Sequence, residues 1–214
     1  MRGNIQSAIQ QAIDGAPERG FVESVEMAFT IRDVDLKIPT NRIQEEIRLP
    51  SGRGKPIRIA MFAGGEMATK ARAAGIDVID PSTIEDLGGN RQKARKTAGQ
   101  YDFFLSEIPH MGTVGRHLGA VLGPRGKMPR PVPPTLEPGN IATGLKDTAI
   151  VRSRDRVTFH TAVGSREQGI DDLTSNAVAV WERVTGKLER GAGNIRSCYV
   201  KTSMGPSVKV EVIG

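Results

Sequence analysis

The stretch Tyr199-Val-Lys-Thr-Ser-Met-Gly-Pro-Ser-Val-Lys-Val210 joins two alternating strand patterns through a tight turn, Ser203-Met-Gly-Pro206. Glycine has no Cβ and proline fixes its own φ, so such a turn can approach another molecule closely and offer it backbone amides. The hydroxyl of Ser203 can bond a sugar or a phosphate, and Lys201 and Lys209 flank the turn with positive charge. These residues indicate either a nucleic-acid contact or an ordinary hairpin corner.

Helical and strand patterns precede this stretch at the other end of the chain. Apolar residues at helical spacing over residues 5–13 predict an amphipathic helix that ends near Gly15-Ala-Pro17. Every second residue of 25–31 is apolar, which predicts a half-buried strand. A further alternation over 47–61, interrupted by Ser51-Gly-Arg-Gly-Lys55, predicts a hairpin with a basic, glycine-rich tip.

The pattern changes between residues 63 and 150, where short apolar strands such as Ile76-Asp-Val-Ile79 and Tyr101-Asp-Phe-Phe-Leu105 alternate with helices. This alternation predicts a small parallel sheet covered by helices. A strand pattern at 157–163 and a helical stripe at 170–188 follow it. We therefore expect an α/β protein in which one discontinuous domain is interrupted by an insertion.

The two chain crossings between such domains are expected to act as a hinge. Gly64 and Gly65 mark the first predicted crossing, because glycine permits the φ and ψ changes of hinge motion. Ser153 marks the second.

Composition restricts the class of function. An apolar share of 38% is enough for real cores, whereas 4% aromatics argues against stacking as the main mode of ligand contact. The net charge of +6 suits a polyanion but does not distinguish RNA, DNA and a membrane surface. The chain has no apolar run of membrane-spanning length and no signal-peptide pattern, so we expect an intracellular protein. The single cysteine, Cys198, excludes an internal disulfide, and its strand context predicts burial.

Three further motifs, taken with the terminal turn, carry a family resemblance. Phe21-Val-Glu-Ser-Val-Glu26, Leu49-Pro-Ser-Gly-Arg-Gly-Lys55 and Leu122-Gly-Pro-Arg-Gly-Lys-Met-Pro129 occur in the order and approximate spacing of the family of large-subunit ribosomal protein one. The chain resembles this family over essentially its whole length, and Ile38-Pro-Thr-Asn-Arg42 is similar to its archaeal branch. The resemblance implies an α+β two-layer terminal domain at residues 1–65 and 152–214, with an inserted Rossmann-like α/β domain at 66–151.

The same resemblance implies a function without catalysis and without cofactor or metal. Members of the family bind the stalk region of 23S rRNA in cytoplasmic ribosomes, assist the release of exit-site tRNA and repress translation of their own mRNA. The free protein is expected to be a monomer. The alternative is a free-standing RNA-binding translational regulator.

The resemblance places the RNA contacts on the terminal domain. The implied residues are Phe21, Ser24, Glu26, Asp155, Arg156, Ser197, Ser203, Met204 and Gly205. Hydroxyls and amides suit 2′-hydroxyl groups, and Phe21 and Met204 suit ribose faces. Phe21 could instead be a core residue at a strand entry, and Glu26 could belong to a solvated strand face.

Secondary RNA contacts are predicted at Arg125, Lys127, His160 and Lys201. The loop that holds Arg125 and Lys127 is not a phosphate loop, because Met128-Pro129 follows the lysine and removes both the magnesium-binding hydroxyl and an immediate helix. The basic stretch Arg91 to Lys96 is either a solvated helix face or a surface that follows phosphates.

Two other classes of protein fit the sequence less well. A nucleotide-binding enzyme would need Gly-x-Gly-x-x-Gly after a strand and a cluster of acid, base or nucleophile, which this sequence lacks. A DNA-binding repressor would need a recognition helix or a dimerisation stripe, and neither is recognisable.

Overall fold

The computed structural model describes residues 1–212 and divides the chain into two compact units. The first unit contains Met1–Lys55 together with the chain from Asp147 onward, and the second contains Pro56–Lys146. Each unit has an apolar cluster of its own. No helix within the described range is long and apolar enough to cross a membrane.

Helices and strands are interspersed along the described chain. In order they are α1 (Arg2–Asp14), β1 (Ser24–Ile31), β2 (Gln44–Arg48), β3 (Ile59–Phe62), α2 (Gly65–Ala73), β4 (Asp77–Ile79), α3 (Ile84–Gly89), α4 (Arg91–Gln100), β5 (Phe103–Glu107), α5 (Met111–Arg125), β6 (Arg130–Val132), α6 (Pro138–Lys146), β7 (Thr148–Arg152), β8 (Thr158–Ser165), α7 (Ile170–Lys187), β9 (Ile195–Thr202) and β10 (Ser207–Val210). The predicted α/β class is confirmed.

The first unit is built on an antiparallel four-stranded sheet in the order β10-β9-β1-β8. Burial alternates strictly along β1, as its sequence pattern predicts. The buried side chains of the sheet pack against α1 and α7, which also contact each other. The other face of the sheet carries mainly polar residues that are half-buried or exposed, such as Glu26, His160 and Lys201, and is called the open face below.

The core of the first unit is aliphatic around a small aromatic group. Phe29 of β1 stacks on Phe159 of β8, with ring centroids 5.4 Å apart, and lies 6.1 Å from Trp181 of α7. Helix α1 contributes an apolar stripe that includes Ile5 and Ile9 and is fully buried. Trp181 is therefore a core residue.

The second unit is a parallel sheet in the order β4-β3-β5-β6, as the alternation of strands and helices predicts. Its central strands β3 and β5 are short and almost wholly buried. A parallel sheet whose order reverses beside its first strand is the doubly wound arrangement, which agrees with the Rossmann-like expectation.

The predicted hairpin over residues 47–61 is wrong. Strand β2 pairs antiparallel with β7, and β3 pairs in parallel with β4 and β5. Alternating apolar residues predict a strand but do not identify its partner, and all of β3 is buried rather than half of it. Residues 56–65 therefore belong to the second unit and residues 147–151 to the first, which differs from the predicted boundaries.

The three predicted hinge residues lie inside the units rather than at the crossings. Gly64 caps the N-terminus of α2, and Gly65 begins that helix with a φ of 51°. Ser153 is buried, and its hydroxyl accepts a 2.9 Å hydrogen bond from the Ile43 amide. The chain passes between the units at Lys55-Pro56 and Lys146-Asp147 instead.

Candidate nucleic-acid interface

The turn between β9 and β10 extends the pairing of β1 with β9. The Ser203 amide donates to the Ser24 carbonyl at 3.0 Å, and the Ser24 amide donates to the Ser203 hydroxyl oxygen at 3.1 Å. Met204 follows and is 60% exposed. The turn is thus fixed at its first residue and presents an apolar side chain at its second.

Gly205 is required by packing within the protein. A Cβ at this position would lie 2.3 Å from the Thr202 hydroxyl oxygen and 3.1 Å from the Ala16 Cβ, and both neighbours are buried. The sequence interpretation attributed this glycine to the approach of a partner. The structure gives it an additional role, because the turn can rest on the end of the α1 segment only if residue 205 has no side chain.

Glu23 is the most notable residue that the sequence interpretation missed. Its carboxylate is fully buried, and its Oε1 accepts a 2.8 Å hydrogen bond from the Met204 amide. Arg166 Nη1 lies 3.4 Å from its Oε2, and Arg19 Nε lies 3.9 Å from its Oε1. The signal available in the sequence was weak, because one glutamate before a strand is ordinarily a solvated residue.

The protonation of Glu23 is set by opposing effects. Burial on its own raises the pKa of this carboxyl group, but the Met204 amide, the Thr202 hydroxyl and the positive charges of Arg19 and Arg166 together lower its pKa below the ordinary value. A buried glutamate in this position therefore remains an anion at neutral pH.

Lys55 also reaches the start of β1. Its ammonium group donates to the Val22 carbonyl at 2.6 Å and to the Ser24 hydroxyl oxygen at 3.0 Å. The motif that contains Lys55 contributed to the family resemblance, but no RNA contact was assigned to this lysine. A cation held beside a candidate hydroxyl contact is well placed for a phosphate oxygen.

Exposed apolar side chains surround the same turn. Phe21 is 55% exposed and Val22 is 39% exposed, close to Met204 in the folded chain. The alternative of a core position for Phe21 is thereby excluded. An open cleft of about 580 Å³ lies beside them, lined by residues 18–23 and by Arg166 and Glu167.

The predicted contacts form two groups on the first unit. Phe21, Ser24, Ser203, Met204 and Gly205 come together at one end of β1, whereas Asp155, Arg156 and Ser197 belong to its other end. Thr30, opposite Ser197, lies roughly 20 Å along the strand from Ser24 at about 3.3 Å per residue.

The open face of the sheet connects these two groups. Glu26 lies in the middle of β1 opposite Lys201, and His160 lies opposite Ala28. Residues on this face share one side of the sheet because the buried positions of β1 alternate with them. A partner that contacts both groups would follow the strand across Glu26, Lys201 and His160.

Arg125 and Lys127, the secondary contacts predicted in the second unit, lie in different environments. Arg125 is exposed on the last turn of α5, which ends at Gly126 in the left-handed conformation. Lys127 donates its ammonium hydrogens to the carbonyls of Ala98 at 2.9 Å and Tyr101 at 2.6 Å, and burial lowers its pKa. Lys127 therefore caps the end of α4, and its prediction as an RNA contact is corrected to this structural role.

The Leu122–Pro129 motif was also predicted as a loop, and only its second half is one. Its first four residues are the C-terminal turn of α5. A phosphate-binding loop precedes a helix, where amides point at the anion, whereas this motif ends a helix and exposes carbonyls. The basic residues Arg91 to Lys96 are exposed on α4, and both of their predicted explanations stay open.

Other site chemistry is sparse in the described part of the chain. Residues 1–212 contain no group of His, Cys, Asp and Glu side chains that could hold a metal ion. Cys198 is buried as predicted, and its burial raises the pKa of the thiol to about 12.

Comparison with known proteins gives a consistent family. The model of the Ribosomal protein L1p/L10e family matches residues 10–206. Similar curated proteins include the Large ribosomal subunit protein uL1 of Methanothrix thermoacetophila, 47% identical over 211 residues that cover 98% of this chain and 100% of the relative. The proteins of the same name from Thermoplasma acidophilum and Pyrococcus horikoshii are 44% and 45% identical, over 97% and 98% of this chain and 96% of each relative.

Proposed function

Because the chain belongs to the Ribosomal protein L1p/L10e family, we propose that it binds the stalk region of 23S rRNA directly through the Ser203–Pro206 turn and the open sheet face of its first unit. At the level of the family, the protein is an archaeal-type protein of the large ribosomal subunit, acts in cytoplasmic ribosomes, and has rRNA rather than a substrate as its partner.

The observation that carries the proposal is the composition of the surface around the turn. Exposed Phe21 and Met204 flank hydroxyls and a cation that are fixed by hydrogen bonds, all at the same end of β1. A surface for phosphates alone needs only positive charge, whereas apolar side chains beside fixed hydroxyls suit ribose faces and 2′-hydroxyl groups. This combination supports RNA as the partner.

Each predicted contact has a chemical role in this proposal. Ser24, Ser203 and Ser197 bond 2′-hydroxyl groups, Phe21 and Met204 pack on ribose, Glu26 and Asp155 accept hydrogen bonds, and Gly205 lets the backbone come close. Arg156, Lys201, His160 and Lys55 contact phosphates, with Arg125 as a further contact from the second unit. Nearly half of this set is neutral, so part of the affinity should not depend on salt.

A filter-binding comparison at moderate salt tests the site. The probe is an in vitro transcript of the stalk segment of archaeal 23S rRNA, and a shuffled RNA of equal length is the specificity control. Ser203→Ala and Met204→Ala should weaken binding more than Lys93→Met on α4. Loss of the Ser203 hydroxyl leaves a buried partner unsatisfied at a cost of about 1–3 kcal/mol, loss of the Met204 side chain removes its apolar contact with ribose, and an exposed phosphate contact is screened. Equal losses of RNA affinity in all three variants would indicate that the site lies on α4 rather than at the turn.

We extend the proposal to two activities of the family. The organisation of the chain as two units, each with its own apolar cluster, supports movement of the second unit about the crossings at Lys55-Pro56 and Lys146-Asp147 during release of exit-site tRNA. Repression of the protein's own mRNA would use the same surface as rRNA, because a transcript that imitates the rRNA site presents the same groups.

Crosslinking in cell extract separates these activities from the alternative of a free-standing regulator. Ultraviolet crosslinking followed by identification of the attached RNA should recover 23S rRNA, exit-site tRNA and the protein's own mRNA. Recovery of mRNA without 23S rRNA would favour the free-standing regulator and contradict the ribosomal role.

A further inference from the structure

The middle of the Ser203–Pro206 turn is held by side chains rather than by strand pairing. The Met204 amide donates to Glu23 Oε1 at 2.8 Å, and Arg19 Nη2 donates to the Met204 carbonyl at 3.3 Å. Both backbone groups of Met204 therefore depend on the short segment before β1. The ladder between β1 and β9 could stay intact while Met204 moved.

Arg166 anchors this arrangement to the end of the α1 segment. Its guanidinium donates to the carbonyls of Ala16 and Pro17, each at 2.9 Å, and to Glu23 Oε2 at 3.4 Å. The Arg166 amide also donates to the Glu23 carbonyl at 3.0 Å. Gly205 packs against Ala16, so the guanidinium fixes the surface on which the turn rests.

The Glu23 carboxylate is the group that joins these parts. It is fully buried. Its Oε1 accepts a hydrogen bond from the Met204 amide of the turn, and its Oε2 accepts one from the Arg166 guanidinium. Removal of this carboxylate takes away the charge that compensates Arg166, whose side chain is 25% exposed, and the buried acceptor of the Met204 amide. Loss of Glu23 would leave the Met204 amide without its present acceptor, whereas the Arg166 guanidinium would keep the carbonyls of Ala16 and Pro17 and lose its carboxylate partner.

We infer that Glu23 is a positioning residue for RNA recognition, whose carboxylate, bridged to Arg166, holds the backbone of the turn so that Ser203 and Met204 are presented in one fixed geometry. This inference rests on the proposed function. Glu23 itself is buried and touches no RNA, so it acts through the turn.

Two variants and a matched control test it with the stalk transcript. Glu23→Ala should weaken binding by about tenfold, the scale of one lost charge-assisted hydrogen bond, and Glu23→Gln by less because its amide oxygen can still accept from Met204. The control is Glu45→Gln on β2, away from the turn. It removes a largely buried carboxylate that pairs with Arg183 at 2.7 Å and with Lys187 at 3.6 Å. It should leave affinity within about twofold.

A double-mutant cycle separates positioning from general stabilisation. In a Met204→Ala background, Glu23→Ala should weaken binding by less than about threefold, because one of the two side chains that it positions is already gone. The slope of log affinity against log salt should not change, since no phosphate contact is lost. A purely structural role would give equal losses in both backgrounds.

Measurements without RNA provide a second readout. Hydrogen exchange of the Met204 amide, followed by NMR, should accelerate in both Glu23 variants and not in Glu45→Gln.

The charged groups around Glu23 are Arg19 and Arg166, with Glu18 and Glu167 on the adjoining cleft. Because the folded protein lowers the pKa of Glu23, its contribution to stability is complete above about pH 4.5 and is lost as the pH falls below that value, and Glu23→Gln should abolish this dependence.

Defined results overturn the inference. A folded Glu23→Ala protein that binds the transcript within about twofold of wild type, or unchanged exchange at Met204, rules out positioning. A wild-type protein that binds the stalk transcript no better than shuffled RNA overturns the proposed function instead, and the two failures are distinguished by the wild-type measurement alone.

Discussion

Gly205→Ala should damage both the stability of the first unit and its RNA binding. The added Cβ would lie 2.3 Å from the Thr202 hydroxyl oxygen and 3.1 Å from the Ala16 Cβ. Neither neighbour can yield easily, because Thr202 is a fully buried, β-branched residue of β9 and Ala16 is almost fully buried. The turn itself must move instead.

The size of this movement follows from the contact. To reach ordinary van der Waals separation from Thr202, residue 205 must shift by about 1 Å, and Met204 is its chain neighbour. The hydrogen bond from the Met204 amide to Glu23 is 2.8 Å long, and a shift of that size would carry it past hydrogen-bonding range. We expect a loss of about 1–3 kcal/mol in the free energy of unfolding, as overpacked sites usually show.

Urea unfolding and filter binding with the stalk transcript measure the two effects. RNA affinity should fall by about tenfold or more, because the same displacement moves Met204 and Ser203. Gly186→Ala is the control. Gly186 is exposed in α7, and apart from its chain neighbours and the backbone of its own helix no atom lies within 4 Å of the point that an alanine Cβ would occupy. Alanine there should raise the free energy of unfolding by about 0.5–1 kcal/mol. Wild-type stability and affinity in Gly205→Ala would refute the packing argument.

Three further outcomes are expected. Lys55→Met should weaken binding to the stalk transcript and reduce the salt slope by about one phosphate contact, as titrations at several salt concentrations would reveal, whereas an unchanged slope would mean that Lys55 only braces the chain. A protein in which a short glycine linker replaces residues 56–146 should fold by circular dichroism and keep specific binding, because Asp147 lies beside Gly52, three residues before Lys55, and the cut ends are therefore less than about 20 Å apart. Cys198 should resist iodoacetamide at pH 8 until the protein unfolds, because its pKa is about 12, and rapid labelling of folded protein would contradict this.

Local sequence patterns predicted most of the fold because burial imposes them directly. The alternation over residues 25–31 and the helical stripes over 5–13 and 170–188 reflect one buried face each, and β1, α1 and α7 follow. Partner choice failed for β3, because alternation describes a strand and not its neighbour. The unit boundaries were misplaced for the same reason, since they depend on which sheet β3 and β7 join.

The candidate site could be predicted in its exposed members and not in its supports. Phe21, Ser203 and Met204 were identified by a motif, and the structure brings them together at one end of β1. Lys127 was assigned to RNA from its charge, but its partners are carbonyls of α4 that no local pattern reveals. Contacts between residues distant in the chain are decided by packing, which a single sequence does not display.

The same limit explains why Glu23 matters to the argument for function. A turn of Ser, Met, Gly and Pro is flexible in isolation, and a flexible turn would lose conformational entropy on binding RNA. In the folded chain the turn is ordered before RNA binds, because Ser203 is hydrogen-bonded to Ser24, Met204 is hydrogen-bonded to Glu23, and Gly205 packs against Ala16. The hydroxyl and apolar contacts of the turn can then recognise RNA specifically, since their binding energy is not spent on ordering it.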